Sequence, residues 1–260
     1  MSDYEKQTTE DHWSTLNMNG FAQHELLQVK WSNDNAPPLT IGCVSSLSPL
    51  DMMHLSEGSH DATGHRIWMG AKLFVNALGY GLLDSAFLGK TTLELGSGTG
   101  LAGIAVLKHE YLACRRVVFT DNDTQVLDLC RTNCEQNLDP SDTRWQLAEL
   151  AWGAERSIDG EFDTIFATDV LYDVGSLQPL LQTVCKYLSH NGLFVLAHVP
   201  RASLEGKVGT GTQLEDYIVA QATPMGLILL QKIRPRDLPL DASNVEMQEA
   251  GAGILVFQKL

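Results

Sequence analysis

The stretch Thr91-Thr92-Leu93-Glu94-Leu95-Gly96-Ser97-Gly98-Thr99-Gly100-Leu101-Ala102-Gly103-Ile104-Ala105-Val106 carries an apolar strand into a helix through three glycines on alternate positions. Glycine permits positive φ and lets a bound group approach the backbone without meeting a Cβ. The unsatisfied N–H groups of the following helix face that group. A glycine-rich turn that holds nothing is the plain alternative, and the strand before and the helix after speak against it.

Outward from this stretch, 260 residues with 44% hydrophobic composition suit one α/β domain with a short extension and a real core. The five cysteines (Cys43, Cys114, Cys130, Cys134, Cys185) are scattered, with no CxxC pair, and read as reduced thiols of an intracellular, cytoplasmic or nuclear protein. No zinc site is expected. Cys130 and Cys134 stand at i and i+4, as two small apolar residues on the buried face of a helix. The Met1 end carries Asp, Glu, Lys and His where a signal peptide needs an apolar run, and no stretch approaches the ~20 apolar residues of a membrane span. With 18 basic against 32 acidic side chains the net charge is −14. Such a chain repels a phosphate backbone and suits a basic partner, although the acidity can equally serve solubility.

Residues 1–20 are polar and without period, a mobile leader. Two strands over 26–31 and 39–44 form a small hairpin or lid, so that 1–63 is an extension and 64–260 the main domain. Residues 45–63 are a Ser-, Asp-, His- and Gly-rich loop. Ala71, Phe74, Val75 and Leu78 share one face of a helix entered at Trp68. After the glycine turn, Val117-Val118-Phe119 makes a second strand closing at Thr120-Asp121, and a helix with Val126, Leu127, Cys130 and Cys134 follows, capped by Asp123 or Thr124. Strands over 145–150 and 162–167 come next, the latter ending at Thr168-Asp169-Val170-Leu171-Tyr172. A helix over 177–188 with Gly192 as its stop leads to a strand over 193–197. Beyond Arg201 come a Gly-rich loop, a helix over 214–222, a strand over 227–232, a Pro- and Asp-rich loop and a last strand over 254–257. Two closing strands with no helix between them pair antiparallel.

Two cofactor patterns overlap at the turn. Gly98-Thr99-Gly100-Leu101-Ala102-Gly103 fits the dinucleotide form GxGxxG, and Glu94-Leu95-Gly96-Ser97-Gly98-Thr99-Gly100 fits the S-adenosylmethionine form. Asp121, 25 residues after Gly96 at the end of the second strand, suits a ribose-binding acid. A dinucleotide fold would continue with another βα unit, whereas a closing hairpin is the order of a seven-stranded methyltransferase sheet, mostly parallel with helices on both faces. Ligands of such sheets bind beyond the carboxyl ends of the strands, so Gly96, Asp121 and Asp169 are expected on one edge.

These residues resemble family 16 of the seven-β-strand S-adenosylmethionine-dependent methyltransferases, the protein lysine methyltransferases, over roughly 60–201. The turn from Glu94 to Leu101 looks like the family's first motif, Thr120-Asp121 like its ribose-binding acid, and Asp169-Val170-Leu171-Tyr172 matches its DxxY. Glu149-Leu150-Ala151-Trp152-Gly153 and Arg66-Ile67-Trp68 resemble the segments whose tryptophans border the cofactor. Met69 and Ala151 depart from the pattern, each standing where many members carry Asp. The resemblance implies an S-adenosylmethionine site of Trp68, Glu94, Gly96, Ser97, Gly98, Gly100, Asp121, Trp152 and Thr168, with Asp169 docking an incoming lysine amine and Tyr172 walling its channel. It further implies a protein substrate, for which the acidic charge suits a basic or lysine-presenting surface, and the chain is expected to be a monomer. Methyltransferases for arginine, histidine or a small molecule share the cofactor half of this reading. An NAD-dependent oxidoreductase is disfavoured by the closing hairpin, and a non-catalytic binding protein by the intact Glu94, Asp121 and Asp169.

Overall fold

The computed structural model describes residues 25–30, 37–44, 62–155, 157–200, 211–239 and 242–260, with the two-residue strands Lys6–Gln7, Ser203–Leu204 and Lys207–Val208. The rest of the leader, most of the loop over 45–63, Trp31 and part of the loop beyond Arg201 lie outside the described residues.

Strands β1 (Glu25–Val29) and β2 (Leu39–Cys43) form the antiparallel hairpin, and Lys6–Gln7 adds to the outer side of β1. Then follow α1 (Met69–Gly79), β3 (Thr91–Leu95), α2 (Leu101–Lys108), β4 (Arg116–Asp121), α3 (Thr124–Asn137), β5 (Trp145–Glu149), β6 (Phe162–Thr168), α4 (Leu177–Tyr187) and β7 (Leu188–His198). The chain closes with α5 (Gly211–Ala222), β8 (Leu227–Ile233), α6 (Ala242–Glu249) and β9 (Gly253–Lys259). The seven-stranded sheet has the order β8-β9-β7-β6-β3-β4-β5. Strands β3 to β7 run parallel, while β9 runs antiparallel between β8 and β7, as the closing hairpin predicts.

Alternation along the strands divides the core between the two sheet faces. Val117, Phe119, Phe166 and Val195 pack under α1, α2 and α3 with Cys130 and Cys134, whereas Leu93, Val118, Ile165 and Phe194 pack under α4 and α5. Strands apolar on both faces are what a sheet covered by helices on both sides requires. The hairpin joins the first of these layers, because Val29, Leu39 and Ile41 belong to its cluster. At the far edge the buried Glu215 of α5 meets Arg234, His198 at 3.1 Å and Lys232 at 3.2 Å. Burial would push that carboxyl up, yet the hydrogen bonds from Arg234 and His198 outweigh it and hold Glu215 far below the usual carboxylate range.

Two local expectations are corrected. The segment between the closing strands is not merely a loop, since it carries α6, whose Asn244 and Met247 face inward while Val245 is 45% exposed. With one buried apolar residue among its described side chains there is no stripe to announce the helix, which is held by Asn244 donating to Pro239 O at 2.6 Å. Gly192 does not stop α4, which ends at Tyr187, whose hydroxyl accepts from Ser157 N–H at 2.8 Å. Gly192 lies in β7 at a bulge, where the register jumps from Phe162↔Leu188 to Thr164↔Leu193 and Asn191 takes φ +62°. A Cβ on Gly192 would stand 3.0 Å from the Asp163 carbonyl oxygen, so crowding, not helix capping, selects glycine there.

The rings of Phe74, Phe87 and Phe166 meet at centroid distances of 5.3–5.5 Å and tie α1 to the middle of the sheet. Phe166→Ala is expected to cost about 3–5 kcal/mol, read as a lower urea midpoint at unchanged slope.

Candidate functional site

Because β3, β4 and β6 are parallel neighbours, Leu95, Asp121 and Thr168 end at one rim of the sheet. There the chain turns with Gly96 at φ +67°, Gly98 at φ +52° and Gly100 at φ +78°, conformations that side chains resist. The turn is sewn to β4, with Ser97 N–H donating to Thr120 O at 2.8 Å and Gly98 N–H to Asp121 Oδ2 at 3.2 Å. Asp121 Oδ1 accepts from Asp123 N–H at 3.2 Å, and Asp123 in turn caps α3 by accepting from Gln125 N–H at 2.8 Å. Burial pushes the Asp121 carboxyl up, while the N–H groups of Gly98 and Asp123 pull it down.

Around this rim lies a cavity of about 290 Å³. Its floor is the turn Gly96–Thr99 with Leu101 and Ala102, and one side is Asp121, Asn122, Asp123 and Val126. A further part of the wall comes from the segment before α1, Thr63, Gly64, Arg66 and Trp68, with Gly64 packed against Val126. The Trp68 indole donates to Thr63 O at 2.8 Å, and the Arg66 guanidinium lies 5.0 Å from its ring centroid, a cation–π contact that fixes the ring. Trp152 closes the cavity from beyond β5, with its ring edge 3.3 Å from where a Gly96 Cβ would stand. Thr168, Asp169 and Val170 line the end of β6, and Tyr172, 58% exposed, stands at the mouth.

Asp169 has left-handed backbone geometry, φ +62°, and is 5% exposed. Its Oδ2 accepts from Gly70 N–H at 2.8 Å and its Oδ1 from Val199 N–H at 3.2 Å. The side chain of Trp68, the N-terminal flanking residue of α1, makes no capping bond, so Asp169 supplies that cap from 99 positions away in sequence. The carboxylate expected to dock an amine is therefore also a brace joining α1, β6 and the end of β7. The brace requires Gly70, since a Cβ there would stand 2.9 Å from Asp169 Cγ.

Trp68, Gly96, Ser97, Gly98, Asp121, Trp152, Thr168, Asp169 and Tyr172 thus converge on one cavity. Glu94 and Gly100 do not line it. Glu94 shares the α2 face of the sheet and lies fully buried beneath that helix, its Oε2 2.5 Å from a Cβ placed on Gly103. Gly100 flanks the start of α2 with its α-carbon facing the Cys130 thiol. Thr63, Gly64, Asn122 and Val126 were not expected in the wall. Only their adjacency to Trp68 and Asp121 could have suggested them.

The sequence profile described as lysine methyltransferase matches residues 48–208. This chain belongs to the lysine methyltransferase family. It is 34% identical over 134 residues to protein N-lysine methyltransferase METTL21A of Mus musculus, a stretch covering 50% of this chain and 58% of that relative. To the protein of the same name from Danio rerio it is 29% identical over 168 residues, covering 58% of this chain and 73% of the relative. The match thus spans little more than half of the mouse relative. Among solved structures, a TehB-like SAM-dependent methyltransferase from Corynebacterium glutamicum is similar with a TM-score of 0.51 and 18% identity, covering 81% of this chain and 95% of that one, a likeness of fold. The family profile includes the whole rim from Thr63 to Tyr172 and stops before α5. Among the described residues no helix is long and apolar enough to cross a membrane, and no cluster of three or more His, Cys, Asp or Glu could hold a metal.

Burial pushes the Glu94 carboxyl well above its usual range. An acid whose folded pKa is raised binds more protons folded than unfolded, so its contribution is present below about pH 4.3 and is lost as pH rises toward the folded value. Glu94→Gln, which cannot titrate, is therefore expected to gain stability relative to the parent between pH 5 and pH 8, measured as the difference in urea midpoints. Removing the brace has a different signature. Asp169→Ala strands the N–H groups of Gly70 and Val199 and is expected to cost about 1–3 kcal/mol for each. Asp169→Asn keeps an acceptor and is expected to lose less in the same titration.

Proposed function

We propose that this protein transfers a methyl group from S-adenosylmethionine to the ε-amine of a lysine in another protein. The observation that carries the reading is the Gly98 N–H to Asp121 Oδ2 bond of 3.2 Å, which unites a glycine turn and a strand-end acid on one cavity inside the family-matched region. The residues present fit the cofactor. A Cβ on Gly98 would stand 3.1 Å from the Gly64 carbonyl oxygen, and one on Gly96 would meet Val170 at 2.8 Å, so the turn packs this closely against its neighbours only because both are glycine, and it lines the cavity with backbone bare of side chains. Asp121, held by two backbone N–H groups, is oriented to accept from ribose hydroxyls. Trp68 and Trp152 both line the cavity and offer it flat aromatic surfaces.

S-adenosylmethionine, when bound, supplies an electrophilic methyl on a sulfonium. The acceptor must arrive uncharged. With a reference pKa near 10.4, only about one lysine in a thousand is neutral at pH 7.4, a cost of about 4 kcal/mol. Partial desolvation inside the cavity lowers that cost. Tyr172 at the mouth narrows the approach and excludes water, and Asp169 with the backbone beside it holds the edge against which the amine aligns. The backbone hydrogen bonds to both oxygens of Asp169 fix the carboxylate in place, which suits it to align the amine, and the proton passes to solvent. A substrate with a basic, lysine-bearing surface suits the net charge of −14. The five free thiols support a cytoplasmic or nuclear setting.

Incubating the protein with methyl-labelled S-adenosylmethionine and a cell lysate is expected to label lysine, located by mass spectrometry. Label on arginine or histidine would overturn the acceptor and leave the cofactor standing. Gly98→Val is expected to weaken S-adenosylmethionine at least about 100-fold by calorimetry. Normal binding by that variant would overturn the turn's role.

A further inference from the structure

We propose that Asn133 of α3 is a positioning residue that couples the N-terminal hairpin to the glycine turn, so that binding at the cavity and docking of the hairpin stabilise each other. This rests on the cofactor reading above. Asn133 is fully buried, and none of its contacts to the hairpin lines the cavity. Its Oδ1 accepts from Gly42 N–H at 2.7 Å, and its Nδ2 donates to Gly42 O at 3.0 Å and to Thr99 O at 2.9 Å. One helical turn further, Asn137 accepts from Thr40 N–H at 2.9 Å and donates to Thr40 O at 2.7 Å.

The spacing explains why two asparagines can do this. Four residues of helix rise about 6.0 Å and two residues of strand about 6.6 Å, so amides at i and i+4 of α3 meet alternate residues of β2. They take the place of a neighbouring strand and satisfy a buried sheet edge that would otherwise be unpaired. Only Asn133 extends this rung to the site. Thr99, 4% exposed, lies between Gly98 and Gly100 and lines the cavity. The Thr99–Gly100 peptide plane is thereby held at both ends, its carbonyl by Asn133 and its N–H by Ser97 O at 2.7 Å. A second tie leaves the end of the hairpin, where Val44 N–H donates to His65 O at 2.8 Å next to Gly64, whose carbonyl packs over Gly98. The hairpin thus grips the glycine turn from two sides. What would otherwise be a flexible run of three glycines is set before a ligand arrives.

The test is amide hydrogen exchange of the full chain with and without saturating S-adenosylhomocysteine, alongside calorimetry of that probe. The probe is expected to slow exchange of the Gly42 and Thr40 amides at least about tenfold. Asn133→Ser is expected to weaken the probe about five- to tenfold. Asn137→Ala, which removes the Thr40 rung and the Nδ2 bond of 2.7 Å to Asn133 O but leaves the Asn133 side chain bonded to Gly42 and Thr99, is expected to keep the parent affinity within about twofold. A purely structural Asn133 would lower stability without probe-dependent protection. If the probe binds but leaves Gly42 exchange unchanged, or binds Asn133→Ser as it binds the parent, the coupling is overturned and the methyltransferase reading stands. If the parent does not bind the probe, both fall. Should Asn133→Ser fail to fold, the exchange of the parent decides.

Discussion

Everything at the site depends on the parallel pairing of β3 with β4 on one side and β6 on the other. Thr92, Leu93 and Glu94 are bonded to both neighbours in register, so the strand cannot slide by one residue without turning Leu93 and Leu95 out of one core and Glu94 out of the other. Parallel direction then brings the ends of three strands to one rim. Two further constraints fall on the chain as it leaves the sheet there. It must bend sharply into α2, and Gly103 must be bare because a Cβ would stand 2.3 Å from the Phe119 ring. Glycine at the bend and in the helix answers separate demands, one of backbone angle and one of space.

The same rim carries a second device of different character. Asp169 stands in a left-handed conformation that costs a non-glycine residue free energy, and two hydrogen bonds from distant backbone offset that cost. The negative charge lies at the first turn of α1, where the helix dipole favours it. A carboxylate so placed joins three elements while still facing the cavity. Support of the rim and alignment of an acceptor are therefore compatible roles for one side chain. An aspartate seen only as a member of a short motif would be credited with the second alone.

At the opposite flank, α3 does more than cover the sheet. Its inward face mixes Cys130 and Cys134, packed as small apolar groups under the turn, with Asn133 and Asn137, whose amides pair with β2. Apolar contacts give that helix its place, and directional hydrogen bonds give it register. The hairpin shares its core through Val29, Leu39 and Ile41, so hairpin and helix pack in one apolar layer.

Local patterns in the chain determined the strand, turn and helix around Gly96 to Gly100, the acid at the end of β4 and a cap at Asp123 or Thr124, which falls on Asp123, since each is governed by neighbours a few residues apart, and the order of elements determined the antiparallel closing strand. Helix α6 escaped notice because most of its side chains are polar or exposed and leave no period to read. Glu94 was misplaced relative to the cavity because its direction follows from strand parity within a folded sheet. Only the tertiary structure decided that Asp169 caps a helix 99 positions away, that Thr63 and Gly64 form a wall, and that two asparagines stand in for a strand. Those contacts join segments whose separation along the chain carries no periodic signal. They exist because the sheet and its helices first fix where each backbone lies, and polar side chains then bond to whatever backbone is brought within reach.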